Sequence, residues 1–196
     1  MFVRNWMSKP AITTNPDTSV FDAARLMESK QIRRLPVVSA DGELVGIITK
    51  SDLQAVVGRS RRPEAAQRKS RKIRVGGVMT RAPVTLHPDE TLEHAAQIML
   101  RKGVSGLPVV ADGKLVGIIT ESDAFRALGA ILGFQQRGAR VVLSTPASGD
   151  LLTALQMAVG KFSIVGLVSY FDPEKKAWET VVRIRGRKPA PSEATV

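Results

Sequence analysis

The apolar residues of this chain alternate between a helical and a strand spacing, and the alternation then occurs a second time. Val20, Ala23, Ala24 and Met27 stand at i, i+3, i+4 and i+7, and so do Leu92, Ala95, Ala96 and Met99. That spacing predicts one amphipathic helix in each half. Each helix is followed by two short apolar runs around a turn. Residues 35–38 and 44–48 flank Asp41-Gly42, and residues 107–110 and 115–119 flank Asp112-Gly113. Paired runs around an Asp-Gly turn predict β-hairpins. Upstream, 11–14 and 83–86 predict a further short strand. Pro16-Asp17 and Pro88-Asp89 then predict helix starts, with an acid near the positive end of the helix dipole. Second helices are expected from Ser51-Asp52 and Ser122-Asp123. Each half therefore reads β-α-β-β-α.

The two halves are copies. Residues 42–52 read GELVGIITKSD and residues 113–123 read GKLVGIITESD. Only Glu43 against Lys114 and Lys50 against Glu121 differ, and both exchange charge. Met7 matches Met79, Pro16-Asp17 matches Pro88-Asp89, and Leu35-Pro36-Val37-Val38 matches Leu107-Pro108-Val109-Val110. The offset of 72 becomes 71 in the hairpin turn, where a length change costs little. Units this small bury a poor core alone, so the copies are expected to pack on each other.

Residues 138–186 follow another plan. A strand over 139–144, a helix over 149–162 and strands over 164–171 and 178–184 give β-α-β-β, with Leu152, Leu155, Gln156 and Val159 on one helix side. The fold class is thus α/β: two β-α-β-β-α repeats packed as a pair, plus a small C-terminal α+β region. The domain plan is a first repeat over 1–58, a basic linker loop over 59–74, a second repeat over 75–137, the α+β region over 138–186 and a flexible tail over 187–196.

Composition changes this picture in three places. A hydrophobic fraction of 43% over 196 residues is enough for real cores. The chain has no cysteine, which removes disulfides, thiolate metal sites and cysteine nucleophiles. No run approaches the ~18 apolar residues of a membrane span, and the first ten residues lack a signal-peptide pattern. A cytoplasmic protein is expected. The net charge of +11 is concentrated: Arg59, Arg61, Arg62, Arg68, Lys69, Arg71, Lys72 and Arg74 face Glu64 alone. Such a segment reads as a solvated loop, as a phosphate contact for a nucleotide nearby, or as a surface for nucleic acid or an acidic partner. It contains no aromatic residue to stack on bases.

The candidate chemistry lies where each hairpin ends. Gly46-Ile47-Ile48-Thr49-Lys50-Ser51-Asp52 takes a strand into a helix, and Gly117, Thr120 and Asp123 repeat the arrangement. A helix N-terminus offers free N–H groups that suit phosphate. A threonine hydroxyl adds a donor, and an aspartate one turn on can accept both hydroxyls of a ribose. Thr and Asp at such a junction also serve as plain helix caps. One copy favours capping; two copies in equivalent places favour a ligand.

With these motifs, the Leu-Pro-Val-Val segments and the Met-Ser-Lys and Met-Thr-Arg openings, residues 1 to 133 resemble a tandem pair of CBS domains, the family of cystathionine β-synthase. The resemblance implies a regulatory module that binds AMP, ADP, ATP or S-adenosylmethionine as a regulatory ligand. It implies that Thr49, Asp52, Thr120 and Asp123 meet ribose and phosphate. It implies a base pocket from Ile12, Thr13, Thr14, Val84 and Thr85, with Arg34, Leu35, Pro36, Gly106, Leu107 and Pro108. Lys50 is a further nucleotide-binding candidate, and Arg33, Arg71 and Lys72 are the candidate phosphate contacts. The C-terminal region looks like an ACT-type sensing domain without its last helix and strand, and the whole is similar to acetoin-utilisation-type CBS–ACT proteins. A homodimer and an unidentified protein partner are expected; nucleic acid is the alternative partner. No catalytic group is expected: the acids form no evident pair and no serine sits in a nucleophile elbow. No metal site is expected from His87 and His94.

Overall fold

The computed structural model describes residues 1–57 and 63–186. Arg59, Arg61, Arg62 and the tail 187–196, on which expectations were placed above, lie outside the described residues. Contacts divide the chain into Met1–Ala124 and Phe125–Val196.

In the first unit the amphipathic helices form where the periodicity predicts. Helix α1 (Val20–Ser29) buries Val20, Ala23 and Met27, and α4 (Leu92–Lys102) buries Leu92, Ala95 and Met99. Ala24 is exposed, and Leu26 instead packs beside the first core. The Pro-Asp pairs are turns rather than first helical residues. Ser19 and Thr91 are the N-caps, each accepting from the backbone N–H three residues on. Strands β1 (Arg34–Val38) and β2 (Leu44–Thr49) form the first hairpin, and β4 (Gly106–Ala111) and β5 (Lys114–Thr120) the second. Both turns place Gly in the left-handed region, Gly42 at φ 82° and Gly113 at φ 76°. Helices α2 (Lys50–Val57) and α5 (Glu121–Ile131) start directly from β2 and β5.

The strands expected over 11–14 and 83–86 shrink to single parallel bridges, Thr14 to Val37 and Leu86 to Val109. Pro10, Pro16, Pro83 and Pro88 bracket both segments, and a residue without an N–H cannot extend a ladder.

The repeats exchange their openings. The turn at Val75–Gly77 and strand β3 (Thr80–Arg81) begin the second repeat, yet β3 pairs with β2 of the first, giving the order β1-β2-β3. Val75 and Met79 enter the first repeat's core with Val20, Ala23, Met27, Leu35, Val37, Ile48 and Leu53. Reciprocally, Val3 N and Arg4 N donate to Glu90 O and Pro88 O, and Ser8 pairs with Ile118. Each opening methionine lies on the glycine of the other copy's block. A Cβ at Gly46 would collide with Met79, and one at Gly117 would lie 2.8 Å from Met7 Sδ.

The basic segment is not a loop throughout. Pro63–Lys72 is helix α3, which packs against α1 and α2. Ser70 is buried, and Arg71 lies over the Phe21 ring at 4.3 Å. Arg68, Lys69, Arg71 and Lys72 are exposed. The propensity of Ala, Gln, Lys and Arg for helix outweighs their mutual repulsion once one face is anchored.

The second unit has the expected order. Strands β6 (Ala139–Pro146), β7 (Ile164–Asp172) and β8 (Ala177–Ile184) form an antiparallel sheet in the order β6-β8-β7, with α6 (Leu151–Val159) between β6 and β7 in sequence. Its core joins Val141, Leu143, Leu155, Ala158, Val159, Val182 and Ile184. The predicted helix face is rotated. Leu152, 72% exposed, and Gln156 face outward, while Leu151 and Ala158 pack inward. The Asp150 cap, which accepts from Leu152 N and Thr153 N, fixes where this short helix starts and hence which side is buried. Among the described residues no helix is long and apolar enough to cross a membrane.

Candidate functional site

Both Thr-Asp junctions form the same local structure. Asp52 Oδ2 accepts from Thr49 N at 2.8 Å and from Thr49 Oγ1 at 2.7 Å; Asp123 Oδ2 accepts from Thr120 N and Thr120 Oγ1 at the same distances. Capping is therefore real at both places. At the first junction one carboxylate oxygen of Asp52 carries these bonds, and a carboxylate has a second oxygen to offer. Asp52 is half-buried and Asp123 is buried.

Around the first junction lies a cleft of about 730 Å³, within the usual range for small-molecule sites. Thr49, Lys50, Ser51 and Asp52 bring one wall, from the end of β2 and the first turn of α2. Arg33 and Arg34 stand beside them. The register pairs Arg34 with Thr49, and Lys50 N donates to Arg33 O. The facing wall comes from the other repeat: Pro83, Val84, Val104, Leu107 and Pro108 are apolar, and Ser105 and Gly106 complete it. One wall is charged and hydroxyl-bearing, the other apolar.

Arg34 joins the walls. Its Nη2 donates to Ser105 Oγ across the seam between repeats. Its guanidinium fills the space beside Gly106, where a Cβ would collide with it. Burial lowers the Arg34 pKa first; Glu121 nearby raises it and Arg33 lowers it again. An arginine this basic stays charged. Ser105, Gly106 and Glu121 thus gather around Arg34 while also standing at the second junction, where Gly106 pairs with Thr120 and Glu121 N donates to Ser105 O.

Of the candidate residues, the cleft collects Arg33, Arg34, Thr49, Lys50, Asp52, Val84, Gly106, Leu107 and Pro108. Ile12, Thr13, Thr14, Leu35, Pro36, Thr85, Thr120 and Asp123 do not line it. Leu35 is enclosed in the first repeat's core, and Thr14 is buried at its bridge to Val37. Arg71 and Lys72 lie away from it on α3, Arg71 held by Phe21. Thr80, Ala82 and Val104 line the cleft without having been expected. Only the exchange of openings, which a single repeat does not reveal, brings Thr80 and Ala82 there.

Elsewhere, His94 pairs with Glu90, and His87 Nδ1 lies 3.7 Å from Asp89. Among the described residues no three His, Asp or Glu side chains gather where they could hold a metal ion.

The duplicated blocks, the exchanged openings and the Thr-Asp cleft between repeats define a pair of repeats of one known kind. The chain belongs to the CBS domain family, whose model matches residues 3–59 and 75–130. It is 36% identical over 136 residues to a CBS domain-containing protein of Dictyostelium discoideum, covering 67% of this chain and 94% of that protein. It is 34% identical to an L-aspartate semialdehyde sulfurtransferase of Methanocaldococcus jannaschii over 65% of this chain, but spans only 23% of that enzyme's length. Among solved structures it is similar to the CBS domain pair of protein MJ0100 in complex with 5-methylthioadenosine and S-adenosyl-L-methionine. That match has TM-score 0.57 and 36% identity, covering 66% of this chain and 96% of that one. CBSX2 in complex with AMP matches with TM-score 0.56 and 32% identity, over 65% of this chain and 95% of that one.

Proposed function

We propose that this chain is a non-enzymatic regulatory sensor that binds an adenosine nucleotide between its two CBS repeats. The observation that carries the reading is the cleft itself. It sets Thr49 and Asp52 of one repeat against Val84, Leu107 and Pro108 of the other. The apolar wall suits an adenine ring. Asp52 suits the ribose hydroxyls, and Thr49 with the first turn of α2 suits phosphate. Relatives support the ligand class: MJ0100 holds S-adenosyl-L-methionine and 5-methylthioadenosine, and CBSX2 holds AMP.

By the repeat offset, Ile12, Leu35 and Pro36 stand to Thr120 and Asp123 as Val84, Leu107 and Pro108 stand to Thr49 and Asp52. A second, equivalent site is therefore part of the proposal, with Thr13, Thr14 and Thr85 as supporting positions. A ligand that touches both repeats favours one packing of the pair over another, and a homodimer interface or a protein partner would read that shift.

Calorimetry with AMP, ADP, ATP, S-adenosylmethionine and 5-methylthioadenosine tests the reading. Saturable heat with at least one compound is expected, together with a rise in melting temperature. Absence of both with every compound at millimolar concentration refutes it.

A further inference from the structure

The two ligand types found in the relatives differ in charge, and this cleft is lined in a way that separates them. S-adenosylmethionine carries a sulfonium cation and AMP a single phosphate. Here Arg33, Arg34 and Lys50 line the cleft; Asp52 is the one carboxylate among its described lining residues, and Glu121 stands near Arg34, so cations still outnumber acids. We propose that the cleft selects nucleoside polyphosphates over monophosphates and sulfonium compounds, with Arg34 as the selecting side chain. The inference rests on the nucleotide reading above and adds the ligand's charge class.

Three features carry it. First, the cations converge. Arg34 pairs with Thr49 across the hairpin and Lys50 is bonded to Arg33 through the backbone, so all three lie at the phosphate-suited end. Second, Arg34 is held in place before any ligand arrives. The Ser105 bond uses one of five guanidinium donors and fixes the group across the seam. A planar fork fixed in this way matches phosphate oxygens in pairs. Third, the duplication has diverged at this point. The counterpart of Arg34 is Gly106 and that of Arg33 is Ser105, so the repeats bring one pair of arginines to the seam instead of two. Two arginines at 34 and 106 would compete for one space, because even a Cβ at 106 collides with the group already there.

The test is competitive calorimetry of wild type, Arg34→Gln and Arg34→Ala with AMP, ATP and S-adenosylmethionine, with circular dichroism to establish that each variant is folded. Arg34→Gln keeps an amide donor for Ser105 while removing the charge. Wild type is expected to bind ATP at least about tenfold more tightly than AMP or S-adenosylmethionine, a ratio within reach of one or two charge-assisted hydrogen bonds. Both variants are expected to lose more affinity for ATP than for AMP, which brings the two within about threefold of each other. Equal affinities in wild type, or an ATP preference that survives in both variants, overturns the proposal and leaves the nucleotide reading standing. Binding of no adenosine compound overturns that reading and this inference with it. Should Arg34→Ala not fold, Gly106→Ala supplies the second route. It leaves Arg34 in the chain but evicts its guanidinium, and must reproduce the loss of ATP preference; a Gly106→Ala protein that keeps the preference refutes the role of Arg34.

Discussion

Arg34 occupies the space that a side chain at Gly106, its own counterpart in the duplication, would need. The repeats are related position by position, yet where they meet only one of two equivalent residues can be large. This asymmetry predicts how Gly106→Ala will behave. The colliding atoms are the far end of a flexible side chain, so Arg34 can swing away and the fold survives. What is lost is the bond from Arg34 to Ser105. Urea denaturation should show a loss of about 0.5–1.5 kcal/mol, the worth of one such bond. In the Gly106→Ala background, Ser105→Ala should cost almost nothing more. A full additional loss would show that the bond persists and that the steric argument is mistaken.

Gly46 offers the opposite case. A Cβ there meets Met79 and, at 2.9 Å, the backbone oxygen of Thr80 in the adjoining β3. Backbone in a paired strand cannot move aside as a side chain can. Gly46→Ala should therefore destabilise by about 1–3 kcal/mol, the range for overpacking. Gly117→Ala should do the same against Met7 and Ser8 O, also at 2.9 Å. Enlarging the space with Met79→Ala should partly rescue Gly46→Ala. If both glycine variants are as stable as wild type, the exchanged openings are not packed as described.

Much of this architecture was legible in the chain because it rests on local spacing. The 3.6-residue stripes placed α1 and α4, and the Asp-Gly turns placed both hairpins. The Thr-Asp spacing located both strand-to-helix junctions. What was not legible depends on partners distant in sequence. Thr80 and Ala82 line the cleft only because the second repeat's opening crosses to the first. Ser105 and Gly106 stand at the second junction, where Gly106 pairs with Thr120, and only the crossing walls set them also beside Arg34 in the cleft of the first. Charge density alone suggested a loop over 59–74, but α3 is anchored by a buried Ser70 and by Phe21, neither of which a charge count registers.

That anchoring reverses an expectation about the basic segment. A solvated loop could be shortened freely; α3 cannot. Arg71 stacks over Phe21 at 4.3 Å, with Arg25 also over that ring at 5.9 Å. Phe21→Ala should lower stability by about 1 kcal/mol or more, since it removes both cation–π contacts and apolar area. Arg71→Gln should cost about 0.5–1 kcal/mol, the cation–π part alone. Protease cleavage between α3 and the second repeat should quicken in both variants. Unchanged cleavage and stability would return the segment to the status of a solvated loop.

The second unit makes its own prediction through Glu179. This side chain is buried on β8 and accepts from Lys175 Nζ at 3.0 Å and from Ser144 Oγ at 2.9 Å. Its carboxyl is held below the ordinary range, first by the Lys175 hydrogen bond and then by that of Ser144. Lys175 is correspondingly raised, chiefly by its bond to Glu179. A lowered carboxylate contributes stability that is present above its unfolded pKa, about 4.3, and lost as pH falls through the lower folded value. A raised lysine contributes stability that is present below about 10.4 and lost as pH rises through the higher folded value. The pair therefore supports the sheet across the middle of the pH range and withdraws at both ends. Glu179→Gln should flatten the acid side of the stability profile and also the alkaline side, because Lys175 loses its main partner. Lys175→Met should flatten the alkaline side fully and the acid side in part, since Ser144 still donates to Glu179. Asp150, also lowered by its bonds from Thr153 and Leu152, keeps a residual acid slope in both variants. The measurement is the denaturant midpoint against pH, followed by the fluorescence of Trp178, which neighbours Glu179 on β8 and packs edge-on against Phe171. An acid slope in Glu179→Gln as steep as in wild type would show that the buried carboxylate does not hold this sheet together.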